Sequence, residues 1–578
     1  MTGVKRSLIH SQILPMGSQP TTLVKLFCDC VARSGDRTAL HVPSGKDAAF
    51  SSLTWNELGH EVRRLAAGLR RAGVQPGDRV SQVSENRYEW ALVDLAVHLA
   101  RGVHVALHAS LSGAQIAWQI ADSGARMVLL STAEQAHKLA ADGVTLPRGL
   151  HFYCYELTEA EIAGQPVLPF TELFAAVGKN AADSMVQESL SRTEATDLAT
   201  ILYTSGTTGE AKGVMLSHGN LTSNAAGCCA AFETTAKDIR LSWLPLSHIF
   251  ARTCDLYTWL TRGSELAVVQ NREQIIAHCA VVRPTLINGV PYFFERLQRR
   301  LSEAGKIGPI ATGGPTHLQQ ALGGNIRACC SGGAALPDHV ADFFWQQGVP
   351  LVQGYGLTES SPVIATATPD HNKVGTVGRA IQDVEIQIAA DGEILTRGPH
   401  VMLGYWRRPE DTAVAIENGW LHTGDLGQLD ADGYLRITGR KKELIVTAGG
   451  KNIAPVYLES LLLQEPLILQ AIIIGEGRKY LTALIVPNPD TLRAEIVARK
   501  IPVRSAAEAL VHPAVLELYR KQINQRLSDA AKCEQIQRFT LLGRGFSVEQ
   551  EELTPTLKLR RGIVQQHFAK EIEALYAD

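Results

Sequence analysis

The sequence predicts an α/β protein: a large N-terminal domain of parallel sheets flanked by helices, a β-barrel-like subdomain at its end, and a small C-terminal α+β domain. Three observations predict it. Up to about residue 375, short apolar runs alternate with amphipathic helical stretches, the pattern of parallel strands covered by helices. From about 375 to 440 the texture changes to alternating strands joined by Asp-Gly turns. Beyond "GRKKEL" a mixed α/β pattern resumes, which puts a boundary near Lys442 and divides the chain into 1–441 and 442–578. A length of 578 residues is ample for several folding units.

The elements follow in order. "LTWNELGHEVRRLAAGLRRAG" opens with Thr54 as N-cap, carries apolar residues at helical spacing and stops at Gly73. "WALVDLAVHLARGVHVAL" (90–107) is interrupted by Asp94, His98, Arg101 and His104, so it reads as a core helix and a strand and not as a membrane span. Strands are expected in "ARMVLL" (125–130), "ELAVVQ" (265–270), "PTLING" (284–289), "IRACC" (326–330) and "PLVQGYG" (350–356). In the β-rich part, "VEIQIAADGEILTRG" (384–398) and "GQLDADGYLRITGR" (427–440) each form strand, Asp-Gly turn and strand.

Composition narrows the function classes. Hydrophobic residues make up 45% and charged residues 20%, the proportions of a globular protein with a sizeable core. Fifty-six basic against 58 acidic residues leave a formal charge of −2, so no bulk field draws nucleic acid or an anionic surface. The ten cysteines form no C-x-x-C pair and read as small hydrophobes in a reducing compartment. The N-terminal stretch lacks the sustained apolar run of a secretory signal, which favours a cytoplasmic protein; peripheral contact with a membrane is left open.

The chemistry-bearing stretch is "TSGTTGEAKG" (204–213), after the apolar strand "ATILYTS". A phosphate loop needs small residues so that backbone N–H groups approach the oxygens, with hydroxyls and a cation to complete it. Gly206, Gly209 and Gly213 supply the first, Thr204, Ser205, Thr207 and Thr208 the second, and Lys212 the third. Lys212 is followed by Gly213 and Val214, so the Walker pattern of ATP-hydrolysing loops is absent.

Read together, "YTSGTTGEAKGVMLSHGNL", "SGGAAL" (331–336), "GYGLTES" (354–360), "GWLHTGDLG" (419–427), "GRKKELIVTAGGKNIAP" (439–455) and "LTPTLKLRR" (553–561) resemble, in this order, the adenylate-forming (AMP-binding) superfamily. "LPLSHIF", "ELIVTAGGKNIAP" and "LTPTLKLRR" look most like long-chain fatty acyl-CoA synthetases. The resemblance implies activation of a fatty acid by ATP and Mg²⁺ to acyl-AMP, then transfer to CoA. It implies small-molecule partners, no nucleic acid, and a monomer or homodimer.

It also implies residue roles. The adenine would stack on Tyr355, lined by Gly332, Gly333, Ala334 and Gly356; Asp425 and Arg440 would hold the ribose. Thr358 would contact phosphate and Glu359 would ligate Mg²⁺, a metal that takes oxygen ligands. Lys558, on a C-terminal loop that swings in, would stabilise the adenylation transition state. His248 would lie near the substrate carboxylate. The small domain would turn about Lys442, withdrawing Lys558 and bringing Gly449, Gly450 and Lys451 to the CoA arm.

Three departures concern the substrate. Arg252 occupies the position where thermophilic long-chain relatives place an aromatic gate. The stretch "LQRRLSEAGKIGPIATGGPTHLQQALGGNIRACC" is shorter than in eukaryotic long-chain members, and its Gly and Pro content reads as a loop. "HVALHASLS" (104–112) stands where many relatives have prolines. A medium-chain or other hydrophobic acid, and loading of a carrier protein in place of CoA, therefore stay open.

Overall fold

The computed structural model describes residues 21–44, 49–174, 178–205, 211–270, 272–310, 314–449, 451–528, 530–547, 549–553 and 559–577. Two large mixed sheets form the body, each with nine strands among these residues. The first has a parallel centre of Leu351–Gly356, Ala328–Ser331, Leu286–Gly289, Ile239–Ser242, Glu265–Val268 and Thr38–Pro43. In the second, Leu198–Ser205, Val103–Leu107, Arg79–Val83, Met127–Leu130, His151–Cys154 and Gln165–Pro169 run parallel in that spatial order. The predicted strands in 125–130, 265–270, 284–289, 326–330 and 350–356 are all present within a few residues of their expected ends.

Local chemistry sets the helices. Thr54 caps Trp55–Arg71 through a reciprocal box with Glu57, each satisfying an otherwise unpaired backbone N–H of the first turn. The apolar stripe of that helix packs on Tyr88–Leu99, and the two helices lie between the sheets, sharing one core with Leu40, Leu241 and Leu266 of one and Val80 and Leu129 of the other. Trp55 and Trp259 stack within this core, with ring centroids 4.4 Å apart. The opposite face of the second sheet is covered by Gly113–Ser123 and Ala133–Ala140. Val103–Leu107 is buried along its whole length, as a strand covered on both faces must be.

The β-rich part is an antiparallel sheet in which Glu385–Ile388, Glu393–Arg397 and Trp420–Leu429 pair in turn, with Ile416–Glu417 and Leu435–Arg440 also on the long third strand. Backbone bonds between Leu435 and both Val377 and Gly378 curl it towards the first sheet. Ala365, Val377, Ile394 and Leu435 fill the interior, which gives the barrel-like character read from the sequence. Gly433 closes the second hairpin at φ +80°, the conformation its Asp-Gly turn requires. From Ile445 onward the chain builds two cores of its own on either face of the sheet Ile468–Ile474, Leu481–Pro487 and Ile536–Leu541.

Two sequence readings are corrected. "LQRRLSE" continues the helix Pro291–Glu303, and "HLQQA" forms the helix His317–Ala321, so only part of that stretch is loop. Arg252 takes no gate position. It is completely buried, and its Nη2 lies 2.5 Å from Asp94 Oδ1 and 2.8 Å from His104 Nδ1. Nη1 donates to Thr200 Oγ1 at 2.7 Å and Nε to the Tyr257 hydroxyl at 2.8 Å. The π-helical turn Arg252–Tyr257 sends this side chain inward between the sheets.

Burial alone would raise the Asp94 carboxyl, but Arg252, with His98 and His104, outweighs it and holds the group well below its ordinary range. Burial, reinforced by Arg252, pulls His104 down to about 4, so it is neutral at pH 7. Removing one partner leaves the other charge buried without compensation. Arg252→Met is therefore expected to lower unfolding stability by about 3–5 kcal/mol, and Asp94→Asn added to it to restore more than half of the loss; urea denaturation followed by tryptophan fluorescence measures both.

Candidate active site

A single cavity of about 1860 Å³ opens between the body and the C-terminal part of the chain. It runs along the parallel strands of the first sheet, from Leu286 and Ala328 to beyond their carboxyl ends, where open α/β sheets bind ligands. Gly332 and Gly333 follow the strand Ala328–Ser331 and form one wall. A Cβ at Gly332 would lie 2.9 Å from the Phe250 ring, and Gly333 has φ +82°, so both positions favour glycine on physical grounds. Ala334 lies just outside this wall, with its carbonyl accepting from Gln353 Nε2 at 3.5 Å.

Opposite the glycines, Tyr355 and Gly356 end the strand Leu351–Gly356 and line the cavity. The Tyr355 hydroxyl donates to Asp425 Oδ2 at 2.8 Å, and Arg440 Nε donates to Asp425 Oδ1 at 2.7 Å. Asp425 and Arg440 face each other in register on neighbouring strands, which fixes this triangle from the backbone outward. Burial, with Asp425 adding to it, raises the Tyr355 hydroxyl well above its ordinary range, so it remains a donor at neutral pH.

The phosphate-loop candidates divide. Thr204 and Ser205 end one strand, Lys212 lies on the next, and the antiparallel register sets Lys212 against Thr204 and Ala211 against Ser205. Thr204 and Lys212 line the cavity. Gly206, Thr207, Thr208 and Gly209 lie outside the described residues. Lys212 Nζ pairs with Asp411 Oδ1 at 2.8 Å and stands over the Tyr405 ring, 5.1 Å from its centroid. The Tyr405 hydroxyl in turn donates to Glu359 Oε1 at 2.8 Å. Thr358 and Glu359 occupy the tight turn Thr358–Ser360 at the cavity edge.

Tyr405 and Asp411 are the functional candidates that sequence reasoning missed. They come from "LGYWRRPED", whose two-residue strand Gly404–Tyr405 pairs with Val214 and Met215 beside Lys212. The glycine–aromatic pair Gly404–Tyr405 was the available sequence signal, and in the structure Gly404 takes φ +136°. His248 caps the short helix Ile249–Ala251 and lines the cavity, with the His108 ring 6.4 Å away between centroids. His108, from the unusual "HVALHASLS", bonds Ser247 Oγ through Nδ1 at 2.7 Å, and burial lowers its pKa.

The C-terminal candidates divide as well. Lys442, in the single turn Lys441–Glu443, lines the cavity. Lys558 lies outside the described residues; on either side of it, Leu553 and Leu559 bridge to each other and line the cavity, as do Arg560 and Arg561. Gly449 and Lys451 lie on an exposed turn away from it, where Lys451 N–H bonds Thr447 Oγ1 at 3.2 Å; Gly450 is outside the described residues. Among the described residues no helix is long and apolar enough to cross a membrane, and no cluster of three or more His, Cys, Asp or Glu is arranged for a metal.

The chain is similar to proteins of known activity over nearly its whole length. It is 34% identical to the long-chain-fatty-acid–CoA ligase FadD15 of Mycobacterium bovis, over 92% of this chain and 93% of that one. It is 29% identical to the long-chain-fatty-acid–CoA ligase ACSBG2 of Xenopus laevis, over 100% of this chain and 86% of that one. Among solved structures, ATP-bound MatB from Rhodopseudomonas palustris superposes with a TM-score of 0.72 at 24% identity, covering 95% and 99% of the two chains. The anthranilate CoA ligase AuaEII bound to anthranoyl-AMP superposes with a TM-score of 0.73 at 19% identity, covering 96% and 98%; at these identities both show the shared fold. The family described as AMP-binding enzyme matches residues 27–406, and its C-terminal domain family matches 442–578. The chain therefore belongs to the AMP-binding enzyme family.

Proposed function

We propose that this protein is an AMP-forming long-chain fatty acid–CoA ligase. The observation that carries this reading is the convergence on one cavity of the glycine wall, Tyr355, the Thr204–Lys212 hairpin and apolar side chains that include Phe232, Leu286 and Ile287. Adenine lies between Gly332–Gly333 and the Tyr355 ring, and the ribose hydroxyls bond the Asp425 carboxylate that Arg440 holds. Thr204, Ser205, Gly206, Thr207, Thr208, Gly209 and Lys212 contact the β- and γ-phosphates.

In the first half-reaction a carboxylate oxygen of the acid attacks the α-phosphorus, and the bond to pyrophosphate breaks. Lys558 meets the charge that builds on the α-phosphate, and Thr358 bonds the same group. Glu359 fits Mg²⁺: Tyr405 occupies Oε1, and Oε2 has no partner among the described residues. One carboxylate beside phosphate oxygens and water is a common magnesium environment, and the ion would neutralise phosphate charge. In the second half-reaction the CoA thiol attacks the acyl carbon, and AMP leaves. His248, beside His108, borders the carboxylate end of the acyl lobe.

The two steps need opposite access: the mixed anhydride must be kept from water, then opened to a thiol. Rotation of 442–578 about Lys442 resolves this, because Gly449 and Lys451 are outside the cavity while the residues flanking Lys558 line it. Leu553, Leu559, Arg560 and Arg561 at the cavity support an arrangement suited to the adenylation step.

Turnover with ATP, Mg²⁺ and acids from acetate to oleate, with and without CoA, tests the reading. CoA-dependent AMP formation with a maximum among long-chain acids is expected; pyrophosphate release without CoA dependence would replace it by loading of a carrier protein. Lys558→Ala is expected to slow acyl-AMP formation at least about 100-fold while thioester formation from supplied acyl-AMP stays within a few-fold; equal losses in single-turnover assays would remove the swinging-lid account. Tyr355→Ala is expected to weaken AMP binding about 10- to 100-fold and Tyr355→Phe less than about 10-fold, by isothermal titration calorimetry.

A further inference from the structure

The protein buries two arginines near the acyl lobe, and they differ in how they are satisfied. Arg252 spends its guanidinium on Asp94, His104, Thr200 and Tyr257. Arg240 is 5% exposed and lines the cavity, yet among the described residues its one hydrogen bond runs from Nη1 to the Cys254 carbonyl at 2.9 Å. Its Nε and Nη2 have no described acceptor. Both nitrogens are reached from the open cavity, so they are available to donate to whatever fills it.

Register places Arg240 deep. It pairs with Leu286, which pairs with Ala328, at the amino-terminal ends of the parallel strands. Gly289 and Ser331, three residues further along, mark the end that leads into the glycine wall. Three residues of strand span about 10 Å, so Arg240 lies about that far below the nucleotide end. Around Arg240 the cavity is also lined by apolar side chains and thiols: Phe232, Leu286, Cys228, Cys254 and Cys330. A saturated chain entering from the carboxylate end would meet a polar floor.

We propose that Arg240 is a specificity-determining residue, donating hydrogen bonds to an oxygen near the distal end of the acyl chain, so that the preferred acid carries a neutral hydroxyl or oxo group there. This inference rests on the ligase reading above. The acceptor is neutral because the floor already holds a compensating carboxylate. Asp255 accepts from Asn288 Nδ2 at 2.6 Å and Ser242 Oγ at 2.9 Å and feels the field of Arg240. Burial lifts Asp255 to about 6, while Arg240 and the bonds from Ser242 and Asn288 act against that rise and favour its charged form. The π turn supports the floor: the Cys254 carbonyl accepts from Arg240, Asn288 and Thr258, and so orients the guanidinium.

The test compares kcat/KM for decanoate, dodecanoate and hexadecanoate, each against its ω-hydroxy, ω-oxo and ω-carboxy derivative, with ATP, Mg²⁺ and CoA. At one chain length or more, the wild-type protein is expected to favour the hydroxy or oxo acid over its plain partner by at least about 10-fold. Arg240→Met is expected to abolish or invert that preference while raising kcat/KM for the plain acid. Equal treatment of plain and oxygenated acids by the wild type, a preference for the ω-carboxy acids, or a preference that survives Arg240→Met would overturn the inference. The wild-type comparison stands even if the variant does not fold. CoA-dependent AMP formation with no acid at all would instead defeat the ligase reading.

Discussion

The buried pair of Arg252 and Asp94 is the constraint on which the body of the protein depends. Asp94 lies on the helix between the two sheets, His104 and Thr200 on two strands of the second sheet, and Arg252 on the π turn beneath the first. One guanidinium thus ties together elements separated in sequence by up to 158 residues. An ion pair out of water contributes little net stability, because desolvation offsets the attraction. Its effect is on arrangement. With five N–H donors in a rigid plane, arginine accepts few alternative packings of its partners. The turn that sends Arg252 inward also turns Cys254 and Thr258 to the cavity, so the shape of the acyl lobe is coupled to a charge pair outside it.

The site is assembled from strand ends and hairpins more than from helices. Asp425 opposes Arg440, and Lys212 opposes Thr204, through backbone register. Their side chains are therefore fixed relative to one another before any ligand arrives, the kind of preorganisation that electrostatic catalysis needs. Tyr405 connects the phosphate side to the acidic side by touching both Lys212 and Glu359. Asp411 balances the Lys212 charge from across the cavity mouth.

Much of this was legible in the sequence. The strand–helix alternation, the Thr54 cap and the Asp-Gly hairpins each rest on short-range rules of period and turn chemistry, and each element formed where those rules put it. The glycines, Tyr355, Asp425, Arg440 and Lys212 were named from ordered motifs, and of these Gly332, Gly333, Tyr355, Arg440 and Lys212 line the cavity. Tyr405, Asp411 and His108 were not assigned roles, for a common physical reason: each meets a partner far along the chain. Tyr405 meets Glu359 across 46 residues, and His108 meets Ser247 across 139. The buried place of Arg252 was not legible for the same reason, since its position after His248 says nothing of the π turn that points it inward.

The two small cores that begin at Ile445 draw no buried residue from the body. Their contents are set within one continuous stretch of chain, so a recombination point near the Lys441–Glu443 turn would cut few packed contacts. A part built this way is an exchangeable cassette: its surface toward the cavity can diversify, or be replaced by that of a relative, without repacking the body. Selection on the two parts can then proceed separately within one polypeptide.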